Sequence, residues 1–225
     1  MRPMPRTLSL AVCLFDNVAS TDFQGPAELF GFISPRGYPK RDWAIEPAYL
    51  IDATYLSVTM DPVYTMSGPA LVPSRTYESI EEDEQFDILL VPGGIGSRTT
   101  PQAVLDFLKS QAPRAKYILS VCTGAEVLGR AGILQGHKAT TNKRAFTRIS
   151  SSEDGKGVEW IPTARYVVDG KIWSSAGVTA GMDMAYAFLQ KLVGPEVSDV
   201  IRTIVELPKR GDDVEEEFAR YYKLI

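Results

Sequence analysis

Three short apolar runs, each followed by a helix-like pattern, limit what this chain can fold into. The runs cover residues 8–15, 86–91 and 117–121, and apolar residues fill most of their positions. A strand of this kind is buried on both faces, as in parallel sheets that helices cover from two sides. The pattern therefore predicts an α/β fold around a mostly parallel central sheet. Ligands of such sheets bind beyond the carboxyl ends of the strands, so the loops that follow these runs are the candidate site.

Periodicity and turn residues predict the other elements. Helices are expected from near Asp22 and over residues 101–111, 124–134, 143–149, 179–193, 196–207 and 213–222. Shorter strands are expected at 43–51, 57–60 and 64–66, with antiparallel pairing among them, and a hairpin joins 164–170 to 171–176. No linker-like tract divides the 225 residues. We therefore expect one domain over residues 1–225, with its core at about 8–193 and C-terminal helices at about 196–222.

The charge of the chain narrows the classes of partner. The formal net charge is −4, and Lys and Arg are scattered along the sequence. This removes the electrostatic basis for binding nucleic acid or an anionic membrane. No stretch is long and apolar enough to cross a bilayer. A small neutral or electrophilic molecule is the expected ligand.

The two cysteines, Cys13 and Cys122, are too few for a disulfide scaffold and suit a reducing compartment, so a cytoplasmic location is expected. Arg2 and Arg6 before the first apolar run also resemble a weak secretion signal. The run is short, contains Cys13 and ends at a polar turn, which favours a first buried strand instead.

Cys122 lies between the end of a predicted strand and the start of a helix, in the sequence YILSVCTGAEVLG. A residue in this position occupies a sharp turn that pushes its side chain outward, as in a nucleophile elbow. The N–H groups that begin the helix favour a thiolate, so we expect a lowered cysteine pKa. The alternative is an inert, apolar cysteine at a strand end.

Four segments carry a resemblance to a known family: FDNVASTDFQGP, VPGGIGS, SVCTGAEVLGRAGILQGHKATT and SSAGVTAGMD. Together they resemble the ThiJ/PfpI superfamily, most closely its isocyanide hydratase branch, over residues 8–192. The resemblance implies a flavodoxin-like three-layer sandwich, a homodimer and three catalytic residues, Cys122, Asp22 and Thr123. Other branches carry glutamate in place of Asp22 and often histidine in place of Thr123, which argues against a Cys-His pair in this chain.

Asp22 and Thr123 also have structural explanations. Asp22 is suited to capping the first helix. Beside a thiolate in a poorly solvated pocket, its pKa would instead rise, and it would hold a proton to donate. The Thr123 hydroxyl either directs water or substrate, or caps the helix that follows it.

Glycines complete the predicted site. The Gly93-Gly94 turn lets the backbone approach Cys122, and its N–H groups, with that of Thr123, are candidate donors to developing negative charge. An ordinary tight turn is the alternative. Gly177 resembles part of a glycine-rich loop near the pocket in the same branch, or it only begins a helix.

Metal and cofactor sites find no support in the sequence. His137, the single histidine, is expected in a surface turn without a role. Asn142 stands where several relatives carry histidine, so that group is missing here. One histidine and two distant cysteines make no metal ligand set, and the glycines form neither a dinucleotide fingerprint nor a phosphate loop. We expect no metal and no cofactor.

These residues lead to one main hypothesis, a lyase that is a cofactor-free, cysteine-dependent hydratase of isocyanides. Cys122 would attack the terminal carbon, Asp22 would supply a proton, and water would release an N-substituted formamide. One alternative is a glyoxalase-like hydratase of methylglyoxal, for which a histidine near the elbow is lacking. Another is a non-catalytic protein that senses oxidants through Cys122 or binds a metabolite. Amidotransferase and peptidase chemistry normally needs a histidine base and ranks last.

Overall fold

The structure is a computed structural model that describes residues 4–38, 46–210 and 216–225. Its strands, numbered along the chain, are β1 (Arg6–Cys13), β2 (Tyr49–Ser57), β3 (Val63–Thr65), β4 (Gly68–Leu71), β5 (Arg75–Thr76), β6 (Ile88–Val91), β7 (Tyr117–Val121), β8 (Lys138–Ala139), β9 (Glu159–Trp160), β10 (Tyr166–Asp169) and β11 (Ile172–Ser175). Its helices are α1 (Ser20–Gly31), α2 (Gln102–Gln111), α3 (Gly124–Arg130), α4 (Phe146–Ser150), α5 (Val178–Ile204) and α6 (Glu216–Tyr221).

The central sheet has seven strands in the order β10-β11-β7-β6-β1-β2-β5. Every neighbouring pair is parallel except β10 and β11, which form the predicted hairpin. The apolar runs are the middle strands β1, β6 and β7, and all four residues of β6 are buried. The structure thus confirms the α/β fold class with a mostly parallel central sheet.

Helices cover both faces of this sheet because its connections run in opposite directions. The chain moves from β1 through α1 to β2 on one side, and from β6 through α2 to β7 on the other. Right-handed crossovers in opposite directions put their helices on opposite faces. Accordingly α1 packs against α5, and α2 packs against α3. Phe188 of α5 contacts the rings of Phe30 and Trp173, with centroids 5.8 and 5.5 Å apart, and joins this layer to the sheet.

Several predicted boundaries need correction. The strand expected at 43–51 begins at residue 49 and continues to residue 57 as β2, whereas residues 58–60 are not strand, because strand pairing outweighs local turn signals. Residues 49–56 pair with β1, and β2 is parallel to both of its neighbours, which corrects the antiparallel pairing expected for it. Residues 43–45 lie outside the described part. The helices expected at 179–193 and 196–207 are joined in α5 across a break at Gly194, which has a φ of +83°. Of the helix expected at 213–222, residues 213–215 are not described and α6 covers Glu216–Tyr221.

The carboxyl ends of β1, β6 and β7 lie along one edge of the sheet and bring three loops together. Among the short outer strands, β3 and β4 pair in antiparallel fashion. Val18, in the loop after β1, forms bridges to Thr65 and to Gly94. In the described ranges, no helix has the length and apolar character needed to span a membrane.

Candidate active site

Cys122 forms the sharp turn between β7 and α3 that the sequence predicts. Its φ is +59°, a conformation that costs a non-glycine residue about 1–2 kcal/mol. Two hydrogen bonds hold the turn: the Cys122 N–H donates to the Ser175 carbonyl at 3.2 Å, and Thr141 Oγ1 donates to the Cys122 carbonyl at 2.8 Å. The side chain of Cys122 faces a cleft, whereas Cys13 is buried in β1.

Asp22 comes to this turn from the first turn of α1 and is fully buried. Its Oδ2 atom accepts a hydrogen bond from the Gly93 N–H at 3.0 Å. Helix α1 begins after Ala19 without any side-chain cap, so the carboxyl group does not serve the capping role that sequence analysis left open. Asp22 instead interacts with the thiol of Cys122.

Gly93 is the residue that permits this close approach. A Cβ atom at this position would lie 2.5 Å from the Thr123 backbone nitrogen and 2.9 Å from Asp22 Oδ2. No larger residue fits without moving the elbow or the acid.

Thr123 and Gly94 bind each other through two hydrogen bonds. Thr123 Oγ1 accepts from the Gly94 N–H at 2.9 Å and donates to the Gly94 carbonyl at 3.1 Å. The N–H groups of Gly93 and Gly94 are therefore already bonded, which corrects their expected role as free donors to developing negative charge. The remaining predicted donor, the N–H of Thr123, hydrogen-bonds the Cys122 sulfur.

The expected lowering of the cysteine pKa is wrong. Burial, and then the charge of Asp22, raise the pKa of Cys122 to about 12, against the opposing effect of hydrogen bonds from Thr123 N–H and Asn142. The expected rise for the acid does occur, because burial raises the pKa of Asp22 to about 6 despite the Gly93 hydrogen bond. At neutral pH the pair therefore carries one proton, mainly on sulfur, and one negative charge, mainly on the carboxylate.

Asn142 is a site residue to which sequence analysis assigned no role. Its side chain hydrogen-bonds the Cys122 sulfur, while its Oδ1 atom accepts from the Arg144 N–H at 3.1 Å. The Oδ1 bond orients the amide so that its NH₂ group is available to sulfur. The family resemblance gave one indication of this role, since it places Asn142 at a position where several relatives carry histidine.

Gly177 and His137 lie apart from the sulfur. Gly177 precedes α5 and lines a second cavity of about 270 Å³ that shares Asn142, Arg144 and Val178 with the Cys122 cleft. His137 Nδ1 lies 3.0 Å from Asp169 Oδ2 in a partly exposed pair outside the cleft, so no Cys-His pair forms.

The cleft in front of Cys122 has a volume of about 600 Å³. Its lining comes from the loop after β1, the β3–β4 turn, the segments after β6, β7 and β8, and the start of α5. Its lining residues are Ala19, Met66, Gly94, Ile95, Ser97, Arg98, Cys122, Thr123, Asn142, Arg144, Ala145, Arg148 and Val178. Within the described ranges no group of three His, Cys, Asp or Glu side chains is arranged to hold a metal ion.

Comparison with known proteins shows the family to which this chain belongs. Residues 9–191 match the DJ-1/PfpI family. This chain belongs to that family. It is 32% identical over 204 residues to an isonitrile hydratase of Pseudomonas putida, a match that covers 88% of this chain and 78% of that protein. A ThiJ/PfpI family protein from Pseudomonas syringae has a similar structure, with a TM-score of 0.71 and 26% identity over 92% of this chain and 77% of that one.

Members of the family with other names are also similar. The deglycase PfpI of Pyrococcus furiosus is 31% identical over 129 residues, 56% of this chain and 71% of that protein. The transcriptional regulator GbdR of Pseudomonas aeruginosa is 30% identical over 154 residues, 65% of this chain but 38% of the regulator. The relatives of this chain thus include enzymes and a regulator.

Proposed function

We propose that this protein is an isocyanide hydratase, a lyase that adds water to R–N≡C and releases the formamide R–NH–CHO. The observation that carries the proposal is the buried carboxyl of Asp22, which Gly93 holds beside the Cys122 thiol in a cleft that no histidine lines. An isocyanide needs a nucleophile and a proton at the same carbon atom. A thiol and a carboxylate that share one proton supply both.

In the first step, Asp22 accepts the thiol proton as the Cys122 sulfur bonds to the terminal carbon of the isocyanide. Asp22 then gives this proton to the same carbon, and the product is a thioimidate, Cys122–S–CH=N–R. The raised pKa of Asp22, about 6, suits a group that takes and returns a proton near neutral pH. Hydrogen bonds from Thr123 N–H and Asn142 stabilise negative charge on sulfur as it develops.

In the second step, water adds across the C=N bond of the thioimidate. The oxygen bonds to carbon and a proton reaches nitrogen, with Asp22 as the base that deprotonates the water. The adduct, Cys122–S–CH(OH)–NH–R, then loses its hydroxyl proton, the C–S bond breaks, and the proton returns to sulfur. The formamide leaves and the pair regains its starting state, so no metal or organic cofactor is required for the cycle.

A formamide assay tests the proposal. Purified protein is incubated with a neutral isocyanide, such as benzyl isocyanide, and N-benzylformamide is measured by chromatography. We expect turnover by the wild type, loss of at least about 100-fold in Cys122→Ala and in Asp22→Asn, and retention in Cys13→Ala. Wild-type activity in Cys122→Ala, or no turnover of any isocyanide by the wild type, would exclude the proposal.

The same protein should be tested with methylglyoxal, because the similarity to a deglycase keeps a dicarbonyl substrate as the alternative. Production of lactate without formamide would favour the alternative. The raised pKa of Cys122 argues against the oxidant-sensor hypothesis, because little thiolate is present at neutral pH to react with peroxide.

We further propose a cytoplasmic homodimer. The two free cysteines suit a reducing compartment, and the family resemblance implies a dimer. Sedimentation of the purified protein tests the dimer.

A further inference from the structure

The walls of the Cys122 cleft carry positive charge. Arg98, Arg144 and Arg148 line it, and no Asp or Glu is among the described residues that do so. The overall composition does not explain why three arginines line one cleft, since the whole chain has a net charge of −4. Two acids lie close to these residues: Glu126 binds Arg148, and Asp22 interacts with the Cys122 thiol. The three guanidinium charges outnumber these two carboxylates.

One of the three arginines is already paired. Arg148 binds both carboxylate oxygens of Glu126, and Glu126 Oε2 also accepts from Ser97 Oγ at 2.8 Å. The Arg148 hydrogen bonds hold the pKa of Glu126 below its usual value, so Glu126 remains ionised. This network ties the segment after β6 to α3 and α4, and it has a structural role.

The guanidinium groups of Arg98 and Arg144 form no ion pair within 4 Å among the described residues, although the charge of Arg98 contributes to the lowered pKa of Glu126. Arg98 lies on the turn Ile95–Thr99 after β6, and Arg144 lies on the turn Lys143–Ala145 after β8. Both arginines therefore line the cleft that Cys122 also lines, each from a different segment of the chain. The hydrogen bond from the Arg144 N–H to Asn142 fixes the start of its turn against the residue that contacts the sulfur.

We propose that the Cys122 site selects electrophiles that carry an anionic group, with Arg98 and Arg144 as the residues that determine this specificity. Resting on the proposed function, the inference names the substrate class as an isocyanide that bears a carboxylate. Guanidinium groups bind carboxylates through paired N–H donors, and two of them in the lining of one cleft hold a small anionic molecule beside the sulfur that shares this lining. A cleft of about 600 Å³ is large enough for such a ligand.

Alkylation of Cys122 tests this charge selection without any turnover. Iodoacetate and iodoacetamide have nearly the same size and differ by one negative charge, and labelling of Cys122 by each is followed by mass spectrometry. The measured quantity is the alkylation rate with iodoacetate divided by the rate with iodoacetamide. For Cys122 of the wild type, we expect this ratio to be about 5-fold higher than for a small free thiol in solution. In the double variant Arg98→Gln, Arg144→Gln this excess should disappear, and added salt should reduce it in the wild type.

The matched control is the double variant Lys109→Gln, Arg114→Gln, which removes the same two positive charges from exposed residues near the end of α2 and just before β7, at the opposite edge of the sheet. The control should keep the wild-type ratio. The rate of Cys122 alkylation by iodoacetamide shows whether the turn at Cys122 remains intact in each variant. A ratio that the double variant leaves unchanged would overturn the inference, whatever reaction the protein catalyses.

Turnover tests the substrate class itself. Isocyanoacetate and its methyl ester are compared as substrates, and we expect a higher kcat/KM for the anion, with about a 5-fold loss of this preference in each single arginine variant through KM. Equal or better use of the ester by the wild type would overturn the inference while leaving the hydratase proposal intact. Absence of turnover with both would instead contradict the hydratase proposal, and the alkylation ratio would still decide the charge selection.

Discussion

The carboxyl group of Asp22 interacts with the thiol of Cys122 although one residue lies in the first helix and the other in the turn after β7. Asp22 Oδ2 is fixed by the Gly93 N–H, whereas Oδ1 makes no hydrogen bond of standard geometry among the described residues. Oδ1 is therefore the oxygen of this carboxyl group that has lone pairs available to accept a proton. The single proton of this pair is the one that our mechanism moves.

The pH dependence of turnover should report the ionisation of Asp22. Its raised pKa, about 6, means that the carboxylate which accepts the thiol proton is lost as the pH falls through this value. With a neutral isocyanide, kcat/KM should be constant near pH 8 and fall about tenfold per pH unit below about pH 6. A profile that is flat between pH 5 and 8, outside the range of acid unfolding, would contradict the role of Asp22 as the proton acceptor.

Asp22→Asn should stabilise the protein near neutral pH while it removes activity. Burial raises the pKa of Asp22 from 3.8 to about 6, so the folded state binds the proton more tightly than the unfolded state does. The contribution of Asp22 to the free energy of unfolding is therefore greatest below pH 3.8 and falls as the pH rises through about 6. The advantage of the asparagine variant should grow by about 2 kcal/mol between pH 4 and pH 7, measured by urea denaturation. A pH-independent difference would contradict the raised pKa.

Asn142→Ala should slow the reactions of Cys122. The asparagine amide opposes the rise of the thiol pKa, so its removal raises this pKa further and weakens support for the developing thiolate. We expect at least about a 10-fold slower alkylation by iodoacetamide at pH 8, because a hydrogen bond to a charged group contributes about 1.5–3 kcal/mol. Thr147→Ala, on the exposed part of α4, serves as the control. Equal alkylation rates in wild type and Asn142→Ala would remove Asn142 from the site.

Gly93→Ala should disturb the acid and the elbow together. The added methyl group would lie 2.5 Å from the Thr123 backbone nitrogen, and relief of this clash displaces Asp22 or the start of α3. We expect a loss of about 2 kcal/mol in stability and a large loss of turnover. Gly31→Ala is the matched control, because its methyl group would meet nothing within 4 Å. Full activity in Gly93→Ala would show that the close approach is not needed.

The sequence was informative where short-range patterns and long-range structure agree. The apolar runs that became β1, β6 and β7 have only one environment that suits them, the middle of a parallel sheet, and the junction after β7 predicted the elbow. The same reasoning misread β2, because its extent is decided by pairing with β1 and not by its own turn residues.

The electrostatics of the site could not be predicted in the same way. The pKa of Cys122 depends on burial and on the distance to Asp22, both of which are properties of the folded chain. The helix N-terminus favours a thiolate, but burial and a nearby carboxylate outweigh it. The roles of Gly93 and Gly94 were also misjudged, since only the structure shows which acceptors their N–H groups already bind.

A covalent intermediate on Cys122 is the central claim, and intact-protein mass spectrometry tests it most directly. Protein is mixed with a neutral isocyanide, quenched in acid after milliseconds to seconds, and compared with Cys122→Ala. The account predicts a species heavier by the mass of one isocyanide, located on the peptide that contains Cys122, which appears and decays as formamide forms. Formamide production with no adduct at any time in the wild type, or with an unchanged rate in Cys122→Ala, would contradict it.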